Sequence, residues 1–207
     1  ALAMVAAEGV PLHDALFALA YARRKGLWVI GPNCMGIMSP GKAMLGALGK
    51  EFTREGDIGV IARSGSLAIS VVRLLTQAGF GQSTCVHVGG DMVVGRNPDE
   101  YLRLFLDDPD TRAVVYLGEI GGTKEYQMLD LIAGAGKPVL AMIVGRHVPV
   151  GKTMGHVGAL VTGDKENASA KREALRQARA RLFDNPPELP ALLRQVLAAN
   201  RPEARRG

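Results

Sequence analysis

The sequence is poor in aromatic residues, in cysteines and in long hydrophobic runs, and each shortage excludes a class of protein. Aromatic side chains make up 5% of the 207 residues, so no interleaved aromatic set is available to stack nucleic-acid bases. The two cysteines, Cys34 and Cys85, lack metal-ligand spacing and fit a reducing compartment. No apolar run reaches the roughly 18 residues of a membrane span, and no signal peptide is recognisable.

Two motifs of common enzyme classes are also missing. No Gly-x-Gly-x-x-Gly follows a predicted strand, which argues against a nicotinamide dehydrogenase. Gly-x-Ser-x-Gly is absent as well, which argues against a hydrolase acting through Ser64. The few aromatic residues, the spacing of the cysteines and the lack of a membrane span or signal peptide lead to a separate expectation. We expect a cytoplasmic protein, or a mitochondrial-matrix protein if the source is eukaryotic, with no metal site and no nucleic-acid or membrane partner.

Positive charge is concentrated at the C-terminal end of an otherwise neutral chain. Residues 171–207 hold nine Lys or Arg against four Asp or Glu, whereas the preceding residues hold 16 of each sign. We expect a solvated helix face followed by a basic tail over residues 201–207.

Glycine is abundant, with 26 residues against a usual share of roughly 7%. This excess predicts tight loops and close backbone approaches to ligands.

Short apolar runs alternate with helical patterns along the chain. Most of the runs are continuous rather than alternating, as expected for strands buried on both faces of a parallel sheet. The pattern predicts an α/β fold, three-layer α/β/α with a mainly parallel sheet and right-handed crossovers. The predicted strands are 27–30, 58–62, 84–88, 113–117 and 139–144, and the predicted helices are 12–25, 66–78, 98–106, 124–133, 168–180 and 188–199.

The stretch 31–56 has many glycines and little periodicity, and it reads as a long linker. The piece before it holds one helix and one strand, too little to bury a core alone. We expect residues 1–40 to be the C-terminal end of another domain, 41–56 a linker, 57–200 the main domain and 201–207 a tail.

Several predicted strands run directly into glycine-rich or small-residue turns, where ligands gather in open α/β sheets. The strand 58–62 leads into Ser64-Gly65-Ser66 and a helix, so free N–H groups and the helix dipole could bind an anion. A helix cap by either serine is the alternative. Gly90 and Asp91 follow the third strand and form either a substrate loop or a turn.

His156 lies between Gly155 and Gly158 in a loop that follows the strand 139–144. Its glycine neighbours favour an accessible, mobile imidazole that could act as a nucleophile. Glu119 follows the strand 113–117 amid glycines and could orient an imidazole by accepting its N–H. A carboxylate favoured by the dipole of the following helix is the alternative interpretation of Glu119.

Seven segments together resemble the α subunit of succinyl-CoA synthetase and the matching part of ATP-citrate lyase. Each is weakly specific, but they occur in family order over nearly the whole chain. They are Glu8-Gly9-Val10-Pro11, Ile30-Gly31-Pro32-Asn33-Cys34, Arg63-Ser64-Gly65-Ser66-Leu67, Gly79-Phe80-Gly81-Gln82-Ser83-Thr84, Gly89-Gly90-Asp91, Gly118-Glu119-Ile120-Gly121-Gly122 and Met154-Gly155-His156-Val157-Gly158-Ala159.

The resemblance implies a flavodoxin-like CoA-ligase domain, residues 1–40 being the end of a CoA-binding Rossmann-like domain. It implies that His156 is phosphorylated and that Glu119 supports it. The phosphate site would comprise Ser64, Gly65, Ser66, Gly155 and Gly158. The substrate and CoA residues would be Glu8, Asn33, Cys34, Gly90 and Asp91.

The resemblance also implies partners and substrates. An ATP-grasp β subunit, with Mg²⁺, would phosphorylate the histidine from ATP or GTP, and the phosphoryl group would pass to a small carboxylic acid before CoA forms the thioester. Met35 replaces a family proline and residues 164–166 replace Gly-Lys-Gly, so succinate, citrate, malate and other acids stay open as substrates. A catalytically incomplete paralogue that serves as a binding module is the alternative function.

Overall fold

The computed structural model describes residues 1–145 and 153–200. Its elements are β1 (Leu2–Met4), α1 (Leu12–Arg24), β2 (Trp28–Ile30), β3 (Gly36–Ser39), β4 (Ala43–Gly46), β5 (Glu55–Ala62), α2 (Gly65–Gln77), β6 (Gln82–His87), α3 (Pro98–Asp107), β7 (Ala113–Glu119), α4 (Leu129–Ala133), β8 (Val139–Val144), β9 (Thr153–Met154), β10 (His156–Leu160), α5 (Ala168–Gln177), β11 (Arg181–Leu182) and α6 (Leu189–Ala199). Short 3₁₀ turns cover Lys50–Phe52, Lys124–Met128, Asp164–Glu166 and Pro186–Glu188.

The main sheet has seven strands in the order β11-β8-β7-β5-β6-β3-β4. The strands from β11 to β6 are parallel, and β3 and β4 extend the β6 edge antiparallel. Side chains of β7 alternate between two buried clusters: Val114 and Tyr116 pack with α3, α4 and α5, while Val115 and Leu117 pack with α2 and α6. The predicted three-layer α/β/α arrangement with a mainly parallel sheet is therefore confirmed.

The central strands form where the sequence has continuous apolar runs. All seven residues of β7 are buried, as are the last five of β5, because helices cover both faces of the sheet. The helix α2 begins after Ser64, whose hydroxyl accepts from Leu67 N at 3.5 Å. Helix α3 begins at Pro98, and Glu100 reaches back to Asn97 N at 2.9 Å.

The structure differs from the predicted linker over 31–56. This stretch supplies β3 and β4 of the main sheet, so it is not an unstructured connection. The strands escape detection because each has only four residues and a glycine at one end. Gly36 and Gly46 face each other in the register at φ +105° and +112°, and an added side chain would collide with the opposite backbone.

The N-terminal residues form a small unit beside the main sheet. Strands β1 and β2 pair in parallel through α1, and Ile30 at the end of β2 is buried in the core shared with α3. Gly31 N donates to Val88 O at 3.2 Å, which joins this unit to the end of β6. The proposed division into a remnant domain and a ligase domain stays a prediction, and the tail 201–207 lies outside the described residues.

In the described ranges, none of the helices is both long enough and apolar enough to span a lipid bilayer.

A buried histidine links the added hairpin to the central strands. Met35 N donates to His87 Nδ1 at 2.9 Å, so His87 Nε2 carries the proton and donates to Arg63 O at 2.9 Å. Burial is the main cause that lowers the pKa of His87 to about 4; the Arg63 carbonyl and the charge of Glu119 oppose this fall, and the charges of His156 and Arg63 add to it. His87 is therefore neutral in the folded protein at neutral pH.

We expect Gly36→Ala to lower the free energy of unfolding by about 2 kcal/mol or more, because its Cβ would lie 1.9 Å from Leu45 O at a positive φ. Gly136→Ala is the matched control, since nothing lies within 4 Å of its Cβ and its φ is not positive. It should change stability by less than about 1 kcal/mol. Urea unfolding measures both, and equal midpoints would refute the close approach of β3 and β4.

His87 predicts an acid-sensitive fold. Its folded pKa lies below the ordinary value of 6.5, so its contribution is complete above pH 6.5 and is lost as the pH falls towards 4. The loss is on the order of 3 kcal/mol. Unfolding measured from pH 7 to 4 should show a shallower decline in His87→Gln than in the parent chain. The exposed His13→Gln is the control, and equal slopes in all three proteins would contradict this role of His87.

Candidate active site at the carboxyl ends of the central strands

The carboxyl ends of three neighbouring strands define one edge of the sheet. Strands β7, β5 and β6 lie side by side and end at Glu119, Ala62 and His87. Glu119 and the turns that contain Ser64 and Gly90 therefore meet at this edge.

A chain of ionic contacts runs through Glu119. Its Oε2 lies 2.8 Å from His156 Nδ1, and its Oε1 accepts from an Arg63 guanidinium nitrogen at 2.9 Å. The side chains of Glu119 and Arg63 are 3% and 4% exposed, whereas that of His156 is 22% exposed. A carboxylate this deeply buried needs such partners, and only the histidine end of the chain faces solvent.

The contact with Glu119 fixes the orientation of the imidazole. A carboxylate oxygen accepts, so Nδ1 carries the proton and Nε2 faces away from Glu119. The hydrogen bond to Glu119 raises the pKa of His156; partial burial opposes the rise, as does the charge of Arg63, and the exposed Glu8 contributes a further attraction. The site thus presents Nε2 as the nitrogen available for chemistry.

The flanking glycines suggested that His156 lies in a free loop, but the structure places it in a strand. It begins strand β10, which pairs with β9, and its ring packs against Gly90, where an added Cβ would lie 2.9 Å from His156 Cδ2. Gly158 leaves room for Arg63, whose guanidinium nitrogen would lie 2.8 Å from its Cβ, while Gly155 at φ +74° faces open space. Residues 146–152 lie outside the described residues.

The turn Ser64-Gly65-Ser66 opens α2 immediately after Arg63. Ser64 caps the helix, as the alternative interpretation of the turn expected, and anion binding by this helix N-terminus stays a prediction. Gly65 packs against Met35 and His87, with its Cβ position 2.3 Å from Met35 Sδ, so a side chain there would have to displace the Met35 side chain. The 13-residue helix brings a favourable dipole for an anion.

Three of the predicted substrate residues come together beside His156. Asn33 Nδ2 donates to Asp91 Oδ1 at 3.1 Å, and Asn33 O accepts from Gly90 N at 3.0 Å. Gly90 also contacts the His156 ring. Asn33, Gly90 and Asp91 therefore form one wall of the site.

The other two predicted substrate residues lie differently. The Cys34 thiol is 5% exposed and donates to His87 O at 2.8 Å, and burial raises its pKa to about 11. This side chain is therefore part of the packing rather than of the open site. Glu8 is exposed, and it is connected to the wall through Ala7 O, which accepts from Asn33 N at 2.7 Å.

Sequence reasoning missed four charged residues that lie around the ionic contacts of Glu119. Arg63 follows β5 and pairs with Glu119, and Lys171 Nζ donates to Glu119 O at 2.9 Å. Lys171 also pairs with buried Glu125. Lys124 Nζ donates to Met92 O at 2.9 Å, and burial, followed by the charge of Arg63, lowers its pKa to about 7. A signal existed for Lys171, which shares a helix face with apolar Ala168 and Leu175 at spacings of three and four residues.

Known proteins resemble the chain over this same region. The CoA-ligase family model matches residues 61–181. The α subunit of ADP-forming succinate–CoA ligase from Methanothermobacter thermautotrophicus is 46% identical over 185 residues, which are 89% of this chain and 63% of that subunit. A subunit of an ADP-forming sulfoacetate–CoA ligase from Bilophila wadsworthia is 41% identical over 196 residues, 92% of this chain and 67% of that subunit.

A solved structure agrees with these relatives. ATP citrate lyase from Methanothrix soehngenii, in complex with citrate and coenzyme A, superposes with a TM-score of 0.86 at 28% identity, covering 96% of this chain and 34% of that chain. The chain spans about two thirds of the length of the curated relatives it matches. By the family model and these identities, the chain belongs to the CoA-ligase family.

Proposed function

We propose that the chain acts as the α-type subunit of a nucleoside-triphosphate-dependent acid–thiol ligase that relays phosphate through His156. The observation that carries the proposal is the contact of Glu119 Oε2 with His156 Nδ1 at 2.8 Å, backed by Arg63. This contact orients Nε2 outward as a nucleophile and supplies a negative charge for the imidazolium that forms on phosphorylation. Similarity to α subunits of ADP-forming succinate–CoA ligases supports the reaction class.

In the first step, His156 Nε2 attacks the γ-phosphorus of the nucleoside triphosphate. The Nε2–P bond forms as the bond from phosphorus to the bridging oxygen breaks, and the nucleoside diphosphate leaves with that electron pair. The proton on Nδ1 stays in the hydrogen bond to Glu119. This covalent step stores the phosphoryl group on the enzyme.

The stored group then activates the acid. A carboxylate oxygen attacks phosphorus, the Nε2–P bond breaks and the electron pair returns to the imidazole, which leaves an acyl phosphate. The CoA thiolate next attacks the carbonyl carbon and phosphate departs, which gives the thioester. The acyl phosphate gives the acid carbonyl a phosphate leaving group that the free carboxylate lacks, and the thiolate can then displace it.

The N-terminus of α2 supports the phosphoryl charge in this proposal. Its first turn holds Gly65 and Ser66 after the cap Ser64, and free backbone N–H groups there stabilise anions. Gly155 and Gly158 flank His156 and keep the strand backbone open to the phosphoryl group on one side and to Arg63 on the other.

We infer the substrates and where they bind from the wall formed by Asn33, Gly90 and Asp91 and from the names of the relatives. We assign the small carboxylic acid and CoA to the side formed by Asn33, Gly90 and Asp91, with Glu8 towards CoA. Relatives named for succinate and sulfoacetate support a small acid. ATP is the proposed nucleotide, since these relatives are ADP-forming. An ATP-grasp β subunit with Mg²⁺ is the proposed partner that supplies it.

The central prediction concerns labelling of the chain by γ-³²P-ATP in the presence of a β subunit from an ADP-forming succinate–CoA ligase. We expect an acid-labile, base-stable label that disappears in His156→Ala. The exposed His13→Ala is the control and should label like the parent chain. Label that persists in His156→Ala would remove this residue from the reaction. No label in the parent chain would favour the non-catalytic binding module.

Glu119→Gln should slow labelling by roughly 100-fold or more, because the oriented nucleophile loses its carboxylate partner. Glu119 raises the pKa of His156, so the unprotonated nucleophile is lost as the pH falls through that raised pKa. In the variant the labelling profile should therefore shift to lower pH. The exposed Glu173→Gln is the control; unchanged rates and profile in Glu119→Gln would exclude Glu119 from the mechanism.

A further inference from the structure

A lysine with no exposed surface lies next to the end of β7, where the chain continues from Glu119 to Gly121. Lys171, in the first turn of α5, is 0% exposed. Its ammonium group donates to two main-chain carbonyls, Glu119 O at 2.9 Å and Gly121 O at 2.7 Å. Glu125 Oε2 lies 2.6 Å from Nζ as an ion-pair partner without the geometry of a hydrogen bond. A buried ammonium is costly unless it is paired and hydrogen-bonded, and here two carbonyls and one carboxylate charge meet that need.

Both hydrogen-bond acceptors of Lys171 are main-chain carbonyls at the end of β7 or just beyond it. Strand pairing between β7 and β8 stops at Glu119, so the carbonyls of Glu119 and Gly121 lie where the regular ladder ends. Lys171 fills this gap from α5, an element 50 residues away in the chain. The bonds fix the main chain on both sides of Ile120, and they therefore fix the point from which the Glu119 side chain extends.

The same lysine also constrains the strand that carries His156. Gly121 adopts φ +85°, and its Cβ position lies 2.3 Å from Gly158 O and 2.6 Å from Leu160 N. The loop that Lys171 binds therefore packs directly on β10. One side chain in this way ties together the backbones that present the carboxylate and the imidazole.

Glu125 has its own role in this cluster. It is 3% exposed and accepts from the Tyr116 hydroxyl at 2.8 Å. It balances the charge of Lys171, but nothing connects it directly to His156. The effects of Lys171 and Glu125 on the site can therefore be measured separately, because removal of the Glu125 charge leaves the carbonyl contacts of Lys171 in place.

We propose that Lys171 is a positioning residue that holds Glu119 against His156 for the phosphoryl transfer. This inference rests on the proposed function for its catalytic consequence, but the geometry it invokes exists in the unphosphorylated chain. Lys171 contacts neither His156 nor a reacting atom, so it acts through the Glu119 main chain.

The test compares Lys171→Met/Glu125→Gln with Glu125→Gln alone. The double variant removes the ammonium without leaving an unpaired carboxylate in the core, and the Gln amide still accepts from Tyr116. Lys171→Gln is a second variant that keeps an amide donor for one carbonyl. Leu175→Ala, in the same helix and 0% exposed, is the matched control, since it should weaken α5 without affecting Glu119.

The first readout is an NMR titration of the His156 ring, which needs neither nucleotide nor partner. Glu119 raises the pKa of His156, so a misplaced carboxylate should let this pKa fall towards the ordinary value for histidine. We expect the fall in Lys171→Met/Glu125→Gln, a smaller fall in Lys171→Gln, and none in Leu175→Ala. Glu125→Gln should remain close to the parent chain.

The second readout is the labelling rate with γ-³²P-ATP and the β subunit. It should fall about tenfold or more in the double variant relative to Glu125→Gln, because small misplacements of reacting groups are costly. An equal change of the His156 pKa in Leu175→Ala, or no change in either Lys171 variant, would overturn the positioning role. Absence of label in every protein, with the pKa pattern as expected, would instead refute the proposed function and leave the positioning role intact.

Discussion

The site depends on one buried carboxylate. Glu119 ends the central strand β7, and its two oxygens bind His156 and Arg63 while its carbonyl accepts from Lys171. Because the side chain is 3% exposed, it cannot exchange these partners for water without a large cost. Its position is thus set by the sheet on one side and by α5 on the other. His156 is the solvent-facing end of these contacts, and the fold therefore orients its Nε2 away from Glu119.

The sequence was sufficient to predict the layers of the fold and to identify two of the side chains that meet at the candidate site. Continuous apolar runs predicted β5, β7 and β8, because strands covered on both faces need no polar alternation. Glycine-rich turns after those strands identified Glu119 and His156 as candidates, and the structure places them 2.8 Å apart. They are 37 residues apart in the chain. Glu119 ends β7 of the main sheet, whereas His156 begins β10 of a separate two-stranded sheet, so the α/β pattern alone did not imply that the two side chains meet.

What the sequence could not supply depends on tertiary contacts. The hairpin β3–β4 rests on the fit of two glycines, Gly36 and Gly46, to the facing backbone, and no local periodicity records such a fit. Lys171 shares a helix face with apolar residues, but no sequence pattern identifies the two carbonyls and the Glu125 carboxylate that surround its fully buried ammonium group. The restraint of His156 by Gly90 likewise arises from two loops that meet in space. Long-range polar satisfaction, rather than propensity, decides these positions.

The central claim is that Glu119 holds His156 with Nδ1 protonated and Nε2 outward. The most direct measurement is the nitrogen NMR spectrum of the His156 ring in the parent chain, recorded above the raised pKa of this residue. Long-range proton–nitrogen correlations distinguish a protonated ring nitrogen from an unprotonated one. The account predicts a protonated Nδ1 and an unprotonated Nε2. A ring with the proton on Nε2 would contradict it, because the nitrogen assigned as the nucleophile would then have no free electron pair.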